Sequence, residues 1–250
     1  MKFASISDLH IKSSNDPSFE ILNQFLQFCM DREITHIGLL GDIFDLMIGP
    51  HLEYYNSFQF SFDLIKVALK KGIRIYYLEG NHDFHLGGLF NLIGLSEYSN
   101  FYYLKKATRI QLGSKILYIS HGDDLGSSSL GYNLYSRVFL RGCFVGCLAK
   151  ISPYSLVTGI GHAWSKHSRM KKRLHPLDDR AIRQKFRDAT ERFWKKNKFD
   201  VLVMGHSHLQ DSYGLSEGAI MLNNGDPAGS RMCAYVDAQS AKLIAFASVP

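Results

Sequence analysis

Five short clusters of aspartate, asparagine and histidine carry the chemistry available to this chain. They are Asp8-x-His10, Gly41-Asp42-x-x-Asp45, Gly80-Asn81-His82-Asp83, His121-Gly122-Asp123 and Gly205-His206-Ser207-His208. Together they offer carboxylate oxygens, an amide oxygen and imidazole nitrogens. That mixture suits borderline first-row divalent ions such as manganese, iron or zinc better than calcium, which takes oxygen ligands. Two such ions about 3.5–4 Å apart can share a hydroxide and clamp the oxygens of a phosphoryl centre. Each cluster alone is a weak signal, because Asp-x-His and His-x-His also occur in ordinary solvated loops. Their joint context is stronger, since every cluster follows directly on an apolar run.

Those runs are the elements that must position the clusters. Thr35 to Leu40 reads as a buried strand that delivers Gly41-Asp42 at its C-terminal end, where ligands gather in open α/β sheets. Phe3 to Ser7, Arg74 to Leu78 and Val201 to Met204 read in the same way. Thr108 to Leu112 and Lys115 to Ser120 flank Gly113-Ser114, a two-residue loop suited to a hairpin. Between strands the spacing turns helical. Asp16-Pro17 supplies an N-cap and a proline at the first helical position, followed by Phe19, Leu22, Leu26 and Cys29 on one face. Phe58, Phe62, Ile65 and Leu69 mark a second helix ending near Gly72. Ile182, Phe186, Ala189 and Phe193 mark another over about 179–198, and short strands over 219–222, 234–237 and 243–247 close the chain. The fold class expected is α/β.

A length of 250 residues, 46% hydrophobic and 21% charged, fits one large globular domain over 1–250 with a substantial core. No apolar run approaches the roughly 20 residues that span a bilayer, and the N-terminal run is too short for a signal peptide. Four cysteines form no disulfide framework, which places the chain in a reducing cytosol. Cys143 and Cys147, four apart, read as buried small hydrophobes rather than a metal clip. His36 and His51 read as packing or surface histidines, and Asp45 and Asp123 as supporting or turn residues.

The net charge of +6 is concentrated. Between Arg137 and Lys196 there are 15 Lys/Arg against four Asp/Glu, a local balance of +11, so the remainder of the chain is −5. Residues 126 to about 178 also break the strand-helix rhythm and read as an insertion. Its apolar segments Val138-Phe139-Leu140, Cys143-Phe144-Val145 and Leu156-Val157 are bordered by cations and by Trp164, with no acid from Arg137 to Arg173. Such a segment fits either a membrane interface rich in anionic lipid or a helical cap with a solvated basic face.

In this order and after these strands, the five clusters resemble the metallophosphoesterase (calcineurin-like phosphoesterase) superfamily, over Asp8 to His208. The resemblance implies a four-layer α/β/β/α sandwich, with residues 126–178 as a helical cap inserted in it. It also implies two metal ions, manganese foremost with iron or zinc as alternatives. Asp8, His10, Asp42 and His208 would hold one ion and Asp42, Asn81, His121 and His206 the other, with Asp42 bridging. His82 would stabilise developing charge or protonate the leaving oxygen, with Asp83 orienting its imidazole.

Within the superfamily the insertion looks like that of UDP-2,3-diacylglucosamine diphosphatases, on Gly131-Tyr132 and Ser165-Lys166. That family cleaves a lipid-linked nucleotide sugar to UMP and a diacylglucosamine 1-phosphate in lipid A biosynthesis. The resemblance makes Tyr132, Ser165 and Lys166 substrate-binding residues and an anionic membrane surface the partner. It implies a peripheral enzyme on the cytoplasmic face of the inner membrane of a Gram-negative-type bacterium. The chain departs from the best-known branch at His82, where that branch has arginine, and at Ser127-Ser128-Ser129, where it has an acidic residue. A cytosolic phosphodiesterase or phosphatase acting on a nucleotide or another phosphate ester is the rival enzyme. A non-catalytic scaffold, which should have lost ligands, is the rival outside catalysis. Nucleic acid is not an expected partner, because the aromatics of the insertion are not interleaved with its cations.

Overall fold

Strands β1 (Phe3–Ile6), β2 (His36–Leu40) and β4 (Arg74–Leu78) are apolar on both faces, as strands covered on both sides must be. The computed structural model describes residues 1–126, 142–159 and 178–247. With β6 (Phe101–Leu104), β12 (Met232–Val236) and β13 (Ala241–Ala245), these strands form a six-stranded sheet in the order β13-β12-β1-β2-β4-β6. Pairing is parallel from β1 through β6 and antiparallel for β12 and β13. A five-stranded sheet, β10-β11-β9-β8-β7, uses the hairpin β7 (Thr108–Leu112) and β8 (Lys115–Ile119), then β9 (Val201–Met204), β10 (Asp211–Gly214) and β11 (Ile220–Asn223). A two-stranded parallel pair, β3 (Met47–Ile48) and β5 (Asp83–Phe84), stands apart from both.

Period-two alternation sorts the side chains into layers. Phe3, Leu40, Tyr76 and Leu78 face Leu117, Ile119, Val201 and Val203 across the space between the two sheets. Their neighbours Ala4, Leu39, Ile75 and Tyr77 turn the other way, onto helices α1 (Pro17–Asp31), α2 (Leu52–Lys70) and α3 (Gly87–Leu92). Leu202, Met204 and Met221 pack against Phe186 and Trp194 from the opposite outside. The result is the expected α/β/β/α sandwich.

Helix α1 begins where the sequence signals it, with the Asp16 side chain accepting from Ser18 N and Pro17 in the first turn. Helix α2 starts earlier than its apolar spacing suggests, at Leu52, and is interrupted at Phe58, whose φ of −125° is not helical. Helix α4 (Asp123–Gly126) follows β8. Two helices of the insertion are described, α5 (Cys143–Ile151) and α6 (154–159), and α7 (Asp179–Asn197) leads into β9. No helix among the described residues is long and apolar enough to cross a membrane.

The described part of the insertion rests on the sandwich through both of its helices. Tyr154 meets His51 and Tyr54 edge-on, with ring centroids 5.8 and 5.1 Å away. Gly49 and Gly146 are close-approach positions. A side chain at Gly49 would meet the Ala149 carbonyl oxygen, and one at Gly146 would meet the His85 imidazole. Cys147 is exposed rather than buried. Tyr132, Ser165 and Lys166 lie outside the described residues.

Candidate metal centre

Each of the five clusters sits just past the C-terminal end of a strand, three from the six-stranded sheet and two from the five-stranded one. Main-chain hydrogen bonds extend the strand pairing into the loops and lock them together. Asp8 N donates to Gly41 O (3.1 Å), His10 N to Asp42 O (3.0 Å) and Gly205 N to His121 O (3.0 Å). Packing here is close enough to demand glycine. A side chain at Gly80 would strike the Asp42 carboxylate and main chain, and one at Gly205 would strike Ser7 and Asp8.

The backbone is strained where the chemistry gathers. Asp8, His10, Asp42, His206 and His208 all adopt left-handed φ, of 57°, 48°, 52°, 68° and 58°. Non-glycine residues reach that region at a cost of order 1–3 kcal/mol each, and such strain clusters at functional sites.

Three groups of potential ligating atoms result among the described residues, each with its atoms within 4.8 Å of one another. Asp8, His10 and His208 form the first and Asp42, His121 and His206 the second, the third being His10, Asp45 and His82, which shares His10 with the first. In the first, Asp8 Oδ1 lies 3.9 Å from His208 Nε2, and the His10 and His208 rings stack with centroids 5.2 Å apart. In the second, His121 Nδ1 lies 2.9 Å from Leu40 O, so that nitrogen donates and Nε2 keeps a lone pair in the neutral ring. His121 Nε2 is 3.2 Å from both Asn81 Oδ1 and His206 Nδ1, and 3.5 Å from Asp42 Oδ2. Asp42 Oδ2 is also 3.8 Å from His10 Nε2, which places one carboxylate oxygen between the first two groups.

This donor set fits metal ions. Asp8 Oδ1 is buried with no hydrogen-bond partner, a costly state for a carboxylate unless a cation meets it. His121 Nε2, Asn81 Oδ1, His206 Nδ1 and Asp42 Oδ2 are four potential ligand atoms converging on one point. Burial disfavours charge on both Asp42 and His121. Their mutual pairing nevertheless holds Asp42 well below the usual carboxylate range and His121 well above the usual imidazole range. Burial lowers His10, against the pull of Asp42 and Asp8, and pushes His206 down to about 4 with help from His121. Both rings are thereby kept neutral, the state in which imidazole ligates.

His82 lies beside the first group, its ring 4.8 Å from that of His10. Its main-chain N donates to Asp42 Oδ1 (2.8 Å) and its Nδ1 is 2.8 Å from the Asp45 carbonyl oxygen, which leaves Nε2 for a ligand. Asp83 does not orient this imidazole, contrary to expectation. At residue 83 the chain enters β5, where successive side chains point to opposite sides, and Asp83 is turned inward. Its carboxylate accepts from Asp42 N (2.8 Å), Ile43 N (2.9 Å), Gly80 N (2.9 Å) and the Tyr77 hydroxyl (2.7 Å). Burial, reinforced by the Asp42 charge, pushes Asp83 up to about 7. Asp83 thus ties two ligand loops together, and Asp45 sets the His82 ring. Asp45 Oδ1 is 3.7 Å from both His10 Nδ1 and His82 Nδ1.

A sixth strand end completes the support and was missed in the sequence. Asn224 Nδ2 donates to Ser7 Oγ (2.9 Å), Ser7 donates to Asp8 Oδ2, and His206 N donates to the same oxygen (2.8 Å). Asn223 Nδ2 donates to Gly205 O (3.0 Å). The signal existed, since Asn223-Asn224-Gly225 follows an apolar run as the other clusters do, but it reads equally as a turn.

Such a fold and site define a two-metal phosphoesterase. The calcineurin-like phosphoesterase family model matches residues 1–210, and the chain belongs to that family. It is a metal-dependent hydrolase with a dimetal centre. A UDP-2,3-diacylglucosamine hydrolase of Psychromonas ingrahamii is 26% identical over 211 residues, covering 83% of this chain and 81% of the relative. The protein of that name from Pseudomonas syringae pv. syringae is 26% identical over 253 residues, covering 98% and 96%. An archaeal phosphodiesterase structure shares the fold at a TM-score of 0.51 and 13% identity, covering 98% of this chain and 99% of that one.

Proposed function

We propose that the protein hydrolyses the pyrophosphate of UDP-2,3-diacylglucosamine to UMP and 2,3-diacylglucosamine 1-phosphate. The observation that carries this reading is the end-to-end similarity to the Pseudomonas syringae relative, insertion included, rather than to the metal-bearing half alone. On the described part of the insertion Leu148, Ile151 and Leu156 are exposed, Ile151 by 77%, and such surface suits acyl chains or a membrane interface. The basic insertion suits the substrate's phosphates and the anionic inner leaflet of a Gram-negative-type inner membrane, where the enzyme would be peripheral.

In this reading Asp8, His10, Asp42 and His208 would hold one ion and Asp42, Asn81, His121 and His206 the other, manganese foremost. Bound there, the pair would supply Lewis-acid polarisation of the phosphoryl oxygens and a hydroxide-like nucleophile near neutral pH. The protein's own part is to hold His82 Nε2 towards the leaving oxygen, through the Asp45 carbonyl at Nδ1, so that it stabilises charge or delivers a proton. Tyr132, Ser165 and Lys166 would contact the lipid-linked substrate.

The test uses purified protein with Mn²⁺ in mixed detergent micelles, comparing UDP-2,3-diacylglucosamine with bis(p-nitrophenyl) phosphate. Release of UMP, lost on chelation and on His82→Ala, is the expected result. Hydrolysis of the small diester alone would leave a phosphoesterase and remove the lipid substrate.

A further inference from the structure

A cleft of about 160 Å³ opens next to the metal centre, between the loop after His10, helix α2 and helix α6. Asp45 is among its lining residues, and Asp45 Oδ1 is 3.7 Å from His10 Nδ1, so the cleft adjoins the first metal group. Tyr54, Phe58 and Tyr154 supply aromatic wall. Tyr54 is fixed there by Ile48 N, which donates to its hydroxyl (3.3 Å), and by the edge-on contact with Tyr154.

We propose that this cleft receives the pyrimidine base of the substrate's nucleotide half, an inference that rests on the nucleotide-lipid reading above. Size is the first argument. An apolar cavity of about 150 Å³ holds one benzene ring, so the cleft has room for one six-membered ring. Chemistry is the second. A uracil presents two carbonyl acceptors and one N–H donor, and the cleft offers the complement. The Lys12 ammonium and the Ser13 and Ser14 hydroxyls can donate to the carbonyls. Ser57 and Thr158 already donate their hydroxyl protons to Glu53 O (2.8 Å) and Tyr154 O (3.0 Å). Their oxygens therefore remain as acceptors for the base N–H.

The third argument is position. The cleft runs from the His10 side of the centre, whereas the exposed apolar side chains Leu148, Ile151 and Leu156 lie on the insertion outside its lining. The polar half of a nucleotide-lipid would enter this ring-sized slot, with the apolar side chains outside it, Leu156 on the same helix as Tyr154 and Thr158.

The experiment measures inhibition of bis(p-nitrophenyl) phosphate hydrolysis by UMP and by ribose 5-phosphate, with the Mn²⁺-loaded protein. The two inhibitors share sugar and phosphate and differ in the base. UMP is expected to bind about tenfold more tightly, the effect of one stacked and hydrogen-bonded base. In Ser57→Phe, which fills the slot from an exposed helix position, the ratio of the two inhibition constants should fall to within about twofold of one. Thr158→Phe closes the same slot from α6 and should do likewise, which covers the case in which either variant fails to fold. A ratio near one in the wild-type protein overturns the proposal, as does a tenfold ratio that survives both substitutions. Hydrolysis of UDP-2,3-diacylglucosamine is read separately. Its absence removes the lipid substrate, while a base preference erased by Ser57→Phe would still place a pyrimidine in the cleft.

Discussion

The two ligand groups are built from the same residue types yet differ in how the protein holds them. In the group around His121 the side chains of His121 and Asp42 are 1% and 3% exposed, and each is hydrogen-bonded into the sandwich. In the other group His10 and His208 are 21% and 35% exposed and lean on each other's rings. The buried group is part of the core, and its side chains hold structure as well as offering donors to a metal. The open group is rigid at Asp8 and accessible at its imidazoles, which suits it to meet a substrate. With an ion at each group, chemistry that needs both a fixed anchor and an open position would be divided between the two.

The sharpest way to break this division is to remove the residue both groups share. Asp42→Ala should abolish turnover of bis(p-nitrophenyl) phosphate, by about a thousandfold or more, and lower the bound metal measured by elemental analysis. The paired substitutions His121→Ala and His208→Ala test the difference itself. In chelated protein, His121→Ala takes from the buried Asp42 carboxylate its closest imidazole and from Leu40 O the Nδ1–H it accepts. It should therefore cost about 3 kcal/mol in urea unfolding. His208→Ala should change that stability by less than about 0.5 kcal/mol while still removing one metal equivalent. Equal stability losses would show that the two groups are not held differently.

A smaller effect is expected one step further out. Asn224→Ala takes away the donor to Ser7 and loosens Asp8, so affinity for one ion should fall about tenfold with the other unchanged, as read by metal titration. The smallest effect separates acid-induced metal loss from acid unfolding. His36, on β2 at the opposite end from Asp42, is pushed down to about 4 by burial, with Arg74 and the N-terminal amine adding to it. A folded pKa below the unfolded value of about 6.5 means that the unfolded chain binds the proton more readily. The contribution of His36 is therefore present above pH 6.5 and lost as pH falls from 6.5 towards 4. In chelated protein, His36→Gln should flatten the stability profile in that window and nowhere else.

Much of the buried group could be read from the sequence, because each ligand follows a strand whose apolar run is visible by inspection. The hairpin at Gly113-Ser114 and the α1 start at Asp16-Pro17 were equally legible, since local rules fix both. What was not legible depends on distant chain segments meeting. Asn224 reaches Ser7 across more than two hundred residues, and no periodicity records that. Asp83 stands next to His82 in the chain, and adjacency suggested an imidazole partner. Entry into β5 turned it towards Tyr77 and the main chain of Asp42 instead. The partition of the strands into two sheets was likewise set by the alternation of both faces, which a continuous apolar run conceals.

The left-handed backbone at five of the ligating positions bears on how this protein would respond to engineering. At Asp8 or His208, glycine would relieve the conformation that the native side chain must endure. A library screened only for survival of heating would thus be drawn towards variants that have shed the very groups proposed to carry hydrolysis. Robustness and activity pull in opposite directions at these residues, so any programme to toughen the fold must score turnover alongside temperature.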